Sequence, residues 1–328
     1  MLILFLGLIG GAIAVARYYT GCQQTPAGGG DVSFTVPGGA SGEDVMASLH
    51  DEGLVPCAGF VGNLLLRSTG KAGEIRAGTY DLSVGMNLDE ILTVLTTPPK
   101  DVPTSRLTVP PGYRLTQIAE QVEKALGIPA NEFLKRADEG NWSLEPYLAD
   151  GEPLEGFLYP ETYAVPKKDT ADEVIERLLD QFAATATDLP WDNAESLGVT
   201  PYEVVIIASM IEEEAAVKAD RPLIAGVIYN RLKLGMTLGI DATLLYDDPT
   251  PETGLTDEDL QSDSPYNTRV HAGLPPTPIA SPYAWSLRAA LEPADTDYLY
   301  YVLCGDDGSH QFAKTYEEHL RYVSECLP

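Results

Sequence analysis

The chain has 328 residues and carries 21 Lys and Arg against 49 Asp and Glu, which gives a formal net charge of −28. This acidity excludes nucleic acid as an expected partner, because binding a phosphate backbone requires a basic surface. The apolar fraction of 44% is ordinary for globular proteins, and a chain of this length can form two or three domains with sizeable cores.

The N-terminal segment is apolar. Residues 2–16 (LILFLGLIGGAIAVA) carry no charge, but they are fewer than the ~20 residues that cross a bilayer as a helix. Two interpretations stay open: a membrane anchor over residues 1–19, or a signal peptide without the usual basic start. Both place the remainder outside the cytoplasm, and the anchor would make this a single-pass protein of the plasma (inner) membrane. A Gly- and Pro-rich linker, residues 20–31, follows.

Cysteine and histidine spacing gives no support for a metal site. Cys57, Cys304 and Cys326 show no C-x-x-C pattern, and the four histidines show no H-x-x-x-H pattern. We therefore expect neither a metal nor another cofactor. A disulfide between Cys304 and Cys326 is compatible with an oxidising compartment, although spacing alone does not fix the pairing.

An internal repeat begins after the linker. Residues 34–37 (FTVP) match residues 107–110 (LTVP), and each match precedes a turn and an amphipathic segment, at residues 41–49 and 116–126. Ser41, with an acid three residues later, predicts a capping box at the first helix.

A second pair of matching segments follows at similar spacing. Thr79-Tyr80 and Thr162-Tyr163 each precede an Asp-Glu pair that opens an apolar helical pattern. Each half therefore predicts the order strand, helix, strand, helix, and such small units bury their apolar faces against each other or against the rest of the chain. Three prolines within residues 96–103 mark the expected boundary between the halves.

The most informative segment is residues 204–215 (VVIIASMIEEEA), in which eight uncharged residues run into three glutamates. Because the run is apolar on all sides, it predicts a helix enclosed by other structure, entered through Thr200 and a proline at the first turn. Glu212 lies on the packed side, so we expect it to lose the most solvent, and a desolvated carboxyl suits proton donation near neutrality. Three glutamates alone more often solvate a helix end, so the assignment depends on other motifs.

Several further motifs accompany these glutamates: LEGFLYPETY at 154–163, IYNRL at 228–232, LGM at 234–236, DAT at 241–243, SPYNT at 264–268, GLPP at 273–276 and YLYYV at 298–302. Together they resemble the YceG-like family of endolytic transglycosylases, also called MltG, which cut nascent peptidoglycan (murein) strands at the membrane. The resemblance covers essentially the whole chain after the linker. No single motif is specific, but the combination is.

The resemblance implies an α+β protein with tandem small LysM-like α/β units followed by a mixed α+β catalytic domain. The first unit would be residues 32–100, the second repeat with its connector residues 101–198, and the catalytic transglycosylase domain residues 199–328. Glycan strands of peptidoglycan would be the substrate. Peptidoglycan synthases would be protein partners.

The family's acidic motif, A-S-[IM]-[IV]-E-x-E, assigns roles by position. Glu212 matches the catalytic acid, Glu214 matches the second, site-organising glutamate, and Glu213 occupies the variable position. Where the family reads Q-T-D-P-T, Asp241 and Thr243 carry over but the Gln and Pro do not. The departure concerns contacts around Gly239 and Ile240 rather than the acid.

Four more residues complete the predicted site. Asn230 and Arg231 lie in IYNRL, and Arg231 would bind stem-peptide carboxylates or pair with acids of the chain. Tyr266 is a candidate sugar platform, although aromatic residues are more often core. Asn267 would either bind an acetamido group or hydrogen-bond its own turn. His310 is expected to be a structural hydrogen-bonding residue.

A transglycosylase of this kind needs one carboxyl group. The acid protonates the glycosidic oxygen, and the resulting carboxylate takes the proton of the muramoyl 6-hydroxyl, which closes on C1 to leave a 1,6-anhydroMurNAc end. Cleavage between MurNAc and GlcNAc would terminate strand elongation. Two alternatives remain: a hydrolase that uses Glu212 and Asp241 as a carboxylate pair, and a non-catalytic peptidoglycan-binding scaffold.

Overall fold

The computed structural model describes residues 30–57, 59–98, 103–247 and 255–326. Two compact units divide the chain, residues 1–103 and 104–328. The predicted anchor and most of the predicted linker lie outside the described residues. Within the described part, no helix is long and apolar enough to cross a membrane.

The first unit is a two-stranded antiparallel sheet covered by helices. Its elements, in chain order, are β1 (Asp31–Val36), α1 (Gly42–Asp51), α2 (Gly59–Ser68), β2 (Gly78–Ser83) and α3 (Leu88–Thr96). The predicted capping box at α1 is confirmed, because Ser41 and Asp44 each accept a hydrogen bond from the other's backbone N–H. Phe34, Leu82 and Leu92 belong to a core confined to this unit.

The second unit opens with the same arrangement. Its first elements are β3 (Thr104–Thr108), α4 (Leu115–Leu126), α5 (Ala130–Glu139), β4 (Thr162–Pro166) and α6 (Ala171–Ala186). The strand registers agree, because Phe34 pairs with Tyr80 in one sheet and Leu107 pairs with Tyr163 in the other. These are the positions that the sequence repeat matches.

The predicted order of elements in each repeat is wrong in one respect. Two helices, not one, connect the paired strands in each copy. The second helix of each pair, α2 or α5, was not predicted. α2 contains glycines at its first and fourth positions. α5 is largely polar and buries only Phe133 and Ala137. Glycine lowers the helix propensity of α2, and α5 offers few apolar residues, so neither segment was recognised as a helix from its sequence.

The rest of the second unit is mainly helical. Its elements are α7 (Asn193–Leu197), α8 (Pro201–Glu214), α9 (Arg221–Leu234), α10 (Asp241–Asp247), α11 (Ala284–Leu291), β5 (Tyr300–Leu303), β6 (His310–Ala313) and α12 (Tyr316–Cys326). β5 and β6 form a third antiparallel pair. A disulfide joins Cys304, just after β5, to Cys326 at the end of α12.

α8 is the enclosed helix that the apolar run predicts. Its eight residues 204–211 are all buried, and Thr200 forms a capping box with Glu203. Inside the helix, the Ser209 hydroxyl donates to the Ile206 carbonyl and accepts the Ile279 N–H at 3.0 Å, which fixes the later loop against the helix. The core around α8 is continuous from Leu107 of β3 to Leu291 of α11. The second repeat and the C-terminal helices therefore share one interior.

Candidate functional site

Glu212 lies in the last turn of α8 with its side chain only 8% exposed. One carboxylate oxygen, Oε2, accepts the backbone N–H of Tyr283 at 3.0 Å. The other, Oε1, lies 3.9 Å from Nη2 of Arg221. Arg221 is itself buried and donates from Nε to the Ser286 hydroxyl at 3.2 Å. The acid is thus held in one orientation by the loop before α11 and by the first residue of α9.

Glu213 points the other way, towards the loop between β3 and α4. Its side chain reaches the surface, but protein on both sides excludes much of the surrounding water and raises its pKa to about 7. The charges of Glu212 and Glu214 act in the same direction, whereas Arg114 opposes them. Gly112 allows this approach, because a Cβ built on it would lie 2.7 Å from Oε1 of Glu213.

Glu214 faces a cavity of about 600 Å³ beside the end of α8. The Tyr301 hydroxyl donates to its Oε2 at 2.9 Å, and burial raises the pKa of this carboxyl. Asp241 and Arg269 line the same cavity and pair at 2.7 Å and 2.5 Å through Nε and Nη2. The structure therefore brings together Glu214 and Asp241, two of the acids that the sequence selects.

Arg231 lines this cavity but uses its guanidinium on the backbone. It donates from Nε to the Leu299 carbonyl at 2.6 Å and from Nη1 to the Leu238 carbonyl at 2.5 Å. Burial lowers its pKa. Asn230, its neighbour on α9, donates to the Thr296 and Tyr298 carbonyls at 2.8 Å and 3.0 Å. Both residues thereby tie α9 to the segment that leads into β5.

Two other predicted residues are fully buried. Thr243 donates to the Ile240 carbonyl at 2.8 Å. Asn267 donates to the Leu260 and Ser262 carbonyls at 3.2 Å and 2.9 Å, so its amide serves its own loop. These contacts agree with the interpretation of Asn267 as a residue that hydrogen-bonds its own turn.

Tyr266 does not line the cavity that Glu214 faces. Its ring packs on Tyr246 with centroids 5.0 Å apart, and its hydroxyl bonds to that of Thr277 at 2.9 Å. His310 makes a buried pair with Asp220, in which Nδ1 lies 2.9 Å from Oδ2. The expectation that His310 is a structural hydrogen-bonding residue agrees with this contact.

Sequence reasoning did not select Glu155, which is 5% exposed. Its carboxylate accepts the Leu115 N–H at 3.0 Å and the Tyr246 hydroxyl at 3.1 Å. Burial raises its pKa to about 7 despite these bonds. The signal that could have identified it is its place in LEGFLYPETY, where an acid stands among leucine, phenylalanine and tyrosine residues.

No group of three or more His, Cys, Asp or Glu side chains in the described part of the chain is arranged to hold a metal ion.

Comparison with known proteins places the chain in a family. The model of the YceG-like family matches residues 34–325. A Bacillus subtilis (strain 168) protein named endolytic murein transglycosylase is 35% identical over 261 residues, which cover 76% of this chain and 72% of that protein. A Streptococcus pneumoniae R6 protein of the same name is 29% identical over 322 residues, which cover 90% of this chain and 58% of that protein.

A solved structure agrees with this match. The crystal structure of a YceG-like protein from Listeria monocytogenes is 29% identical in sequence, with a TM-score of 0.58 over 90% of this chain and 99% of that one. The α+β architecture, with three small antiparallel sheets among the described helices, is therefore one that a solved relative shares. The chain belongs to the YceG-like family.

Proposed function

We propose that this protein is an endolytic murein transglycosylase, which cleaves peptidoglycan strands between MurNAc and GlcNAc and leaves 1,6-anhydroMurNAc ends. Relatives with 35% and 29% identity carry that name. The observation that carries the mechanism is the placement of Glu212: a single carboxyl group, nearly buried at the end of an enclosed helix and fixed by the Tyr283 N–H.

Glu212 would act first as an acid and then as a base. Its proton moves to the glycosidic oxygen as the bond from C1 to that oxygen breaks. The carboxylate then accepts the proton of the muramoyl 6-hydroxyl while that oxygen bonds to C1. No water is consumed, and burial of the acid keeps water from the positively charged sugar carbon. Arg221, 3.9 Å away, faces the negative charge that Glu212 carries between the two steps.

The other predicted residues would organise the site. Glu214, Asp241 and Arg231 line one cavity, where Glu214 is held by Tyr301 and Asp241 by Arg269. Asn230, Thr243 and Asn267 bond to backbone carbonyls of the loops around it. Tyr266 would form a more distant contact surface. None of these roles requires a cofactor.

The hydrolase alternative needs a second carboxylate that serves as nucleophile or activates water. Asp241 is the candidate, but Arg269 already occupies one of its oxygens at 2.5 Å and 2.7 Å. Both Arg269 nitrogens bond to the same oxygen, Oδ1, and this charged pair holds the aspartate in place. The contact favours an organising role for Asp241. The scaffold alternative requires no chemistry, and the experiment below tests it.

The arrangement strand, two helices, strand in both repeats supports assigning residues 32–100 and 101–198 as LysM-like units that bind glycan. Residues 199–328 would then carry catalysis. Residues 1–19 would anchor the protein in the plasma membrane with its folded part outside the cytoplasm. At that place it would act beside peptidoglycan synthases.

The test is mass spectrometry of muropeptides released from uncrosslinked glycan by the wild type, by Glu212→Gln and by Glu213→Gln. The two variants make the same chemical change at neighbouring positions. We expect anhydro ends from the wild type and from Glu213→Gln, and none from folded Glu212→Gln. Reducing ends would instead indicate a hydrolase. Release of nothing by a folded wild type would favour the scaffold.

A further inference from the structure

Three aromatic side chains form a cluster beside the loop that holds Glu212. The Tyr283 ring lies with its centroid 5.5 Å from that of Tyr159 and 4.3 Å from that of Trp285. Trp285 is 41% exposed, which is unusual for so large an apolar side chain. The ammonium of Lys218 lies 4.3 Å from the indole centroid, so a cation already occupies part of the ring surface.

The same three rings line a cavity of about 550 Å³. This volume falls within the range of about 300–1,000 Å³ that small-molecule sites occupy. Its other wall comes from α6 and includes Gln181 and Thr185. Because α6 and the start of α11 belong to one continuous core, the cavity is a fixed feature of this unit.

One residue, Tyr283, contributes to the cavity wall and also contacts the proposed acid. The backbone N–H of Tyr283 binds Oε2 of Glu212, while the ring of the same residue lines the cavity. Because one residue serves both, a strand bound at Glu212 would bring a neighbouring sugar close to this aromatic surface.

The polar groups of the cavity indicate a neutral ligand. Glu161 and Asp188 line it and would repel a phosphate or a carboxylate. Arg288, the remaining charged residue, is engaged by Glu292 at 3.2 Å and by the Asp188 carbonyl at 3.0 Å. Carboxylates, an amide and a hydroxyl beside aromatic faces suit a pyranose, whose hydroxyls form hydrogen bonds while its C–H face packs on a ring.

We propose that this cavity is a subsite for a neutral pyranose of the glycan strand, with the Trp285 indole as its stacking surface and Tyr159 and Tyr283 beside it. The inference rests on the proposed function, because the strand supplies the sugar next to the bond that Glu212 cleaves.

Binding can be measured without cleavage, in the Glu212→Gln protein, by titrating the N-acetylglucosamine tetramer and recording tryptophan fluorescence. The other two tryptophans, Trp142 and Trp191, are partly buried and donate their N–H groups to backbone carbonyls at 2.9 Å. The exposed Trp285 is therefore the reporter. We expect a saturable blue shift that disappears in the Glu212→Gln, Trp285→Leu double variant.

Kinetics on uncrosslinked peptidoglycan give the second measurement. Trp285→Leu should raise KM about ten-fold with kcat changed less than about two-fold, because a stacking contact contributes to binding before and during reaction. Trp285→Phe keeps an aromatic face and should restore most of the affinity. Leu234→Ala removes an equally apolar, 62% exposed side chain at the end of α9 and should change neither value.

The outcomes separate this inference from the proposed function. Anhydro products from the wild type together with an unchanged KM in Trp285→Leu would overturn the subsite alone. No fluorescence shift with the tetramer would also overturn it. A saturable, Trp285-dependent shift in Glu212→Gln, together with a folded wild type that releases no anhydro products, would support the subsite and contradict the transglycosylase.

Discussion

Individual carboxyl groups in this protein differ in how much their ionisation lowers the free energy of unfolding. Burial raises the pKa of Glu155, Glu213 and Glu214. Among them Glu155 is 5% exposed and bonds to Leu115 and Tyr246, so it joins the start of α4 to α10. Its ionisation has a consequence for stability that can be measured.

The Glu155 pKa rises from the ordinary 4.5 to about 7 on folding. A raised carboxyl pKa means that the folded state holds the proton more tightly, so this group favours folding below pH 4.5 and progressively less as the pH rises through about 7. The loss is at most about 3 kcal/mol, from about 1.36 kcal/mol for each unit of pKa. Glu155→Gln cannot ionise. Its free energy of unfolding, relative to that of the wild type, should therefore rise as the pH increases from 4.5 to about 7.

Urea unfolding followed by tryptophan fluorescence at several pH values measures this difference. Glu176→Gln, the same change at an exposed position on α6, is the control and should follow the wild type. Parallel curves for Glu155→Gln and the wild type would contradict the assignment of a raised pKa.

Residue-scale prediction from sequence succeeded where a side chain sits in a strong local pattern. Glu212 ends an apolar run on the packed side of its helix, and together with the accompanying motifs this predicts its nearly buried position. Glu155 was missed because its partners lie far along the chain, at Leu115 and Tyr246. The amide of Asn267 has partners in its own loop, yet spacing could not decide between that turn and an acetamido group.

The packing of α8 depends on the segment that carries LEGFLYPETY. Gly156 has φ +88°, and a Cβ built on it would lie 2.5 Å from Cβ of Pro278 and 3.3 Å from Cγ1 of Val205. Only glycine allows both the backbone conformation and this approach. The segment therefore holds the Pro-rich loop against α8, close to the Ile279 N–H that Ser209 accepts.

Gly156→Ala should destabilise the second unit by about 2–4 kcal/mol, through backbone strain and overpacking. Gly198→Ala is a matched control, because Gly198 has φ +74° and a Cβ built on it would meet nothing within 4 Å. It should cost about 1 kcal/mol. Equal losses of unfolding free energy in the two variants would show that the contact with Pro278 contributes nothing.

Elements with a strong apolar pattern or a clear cap were predicted correctly. α8 begins where the sequence places it, at Pro201 after Thr200, and ends within the run of three glutamates. α2 and α5 were missed, because α2 contains two glycines and α5 has few apolar residues.

At the scale of the whole molecule, the chain forms two units with separate cores. Leu92 belongs to the core of the first, whereas all three tryptophans lie in the second. The sequence placed a boundary within residues 96–103, and the compact units divide after Pro103. It left open whether the second repeat packs on the first repeat or on the rest of the chain, because the deciding contacts join residues far apart in the chain.

Leu92→Ala should remove about 2–5 kcal/mol from the first unit, since the side chain is fully buried. The transition seen by circular dichroism should shift, while the tryptophan-monitored transition stays in place. Leu64→Ala makes the same change at a position 48% exposed and should move neither. A shift of the tryptophan transition in Leu92→Ala would mean that the units unfold together.

In the proposed reaction, Glu212 alone moves the proton while the 6-hydroxyl of the sugar, not water, attacks C1. Digestion of uncrosslinked glycan in water enriched in heavy oxygen, followed by mass spectrometry of the new ends, tests it most directly. We expect anhydro ends of unshifted mass, formed by the wild type and absent from folded Glu212→Gln. Heavy oxygen incorporated at C1 of the primary products would contradict it and establish hydrolysis.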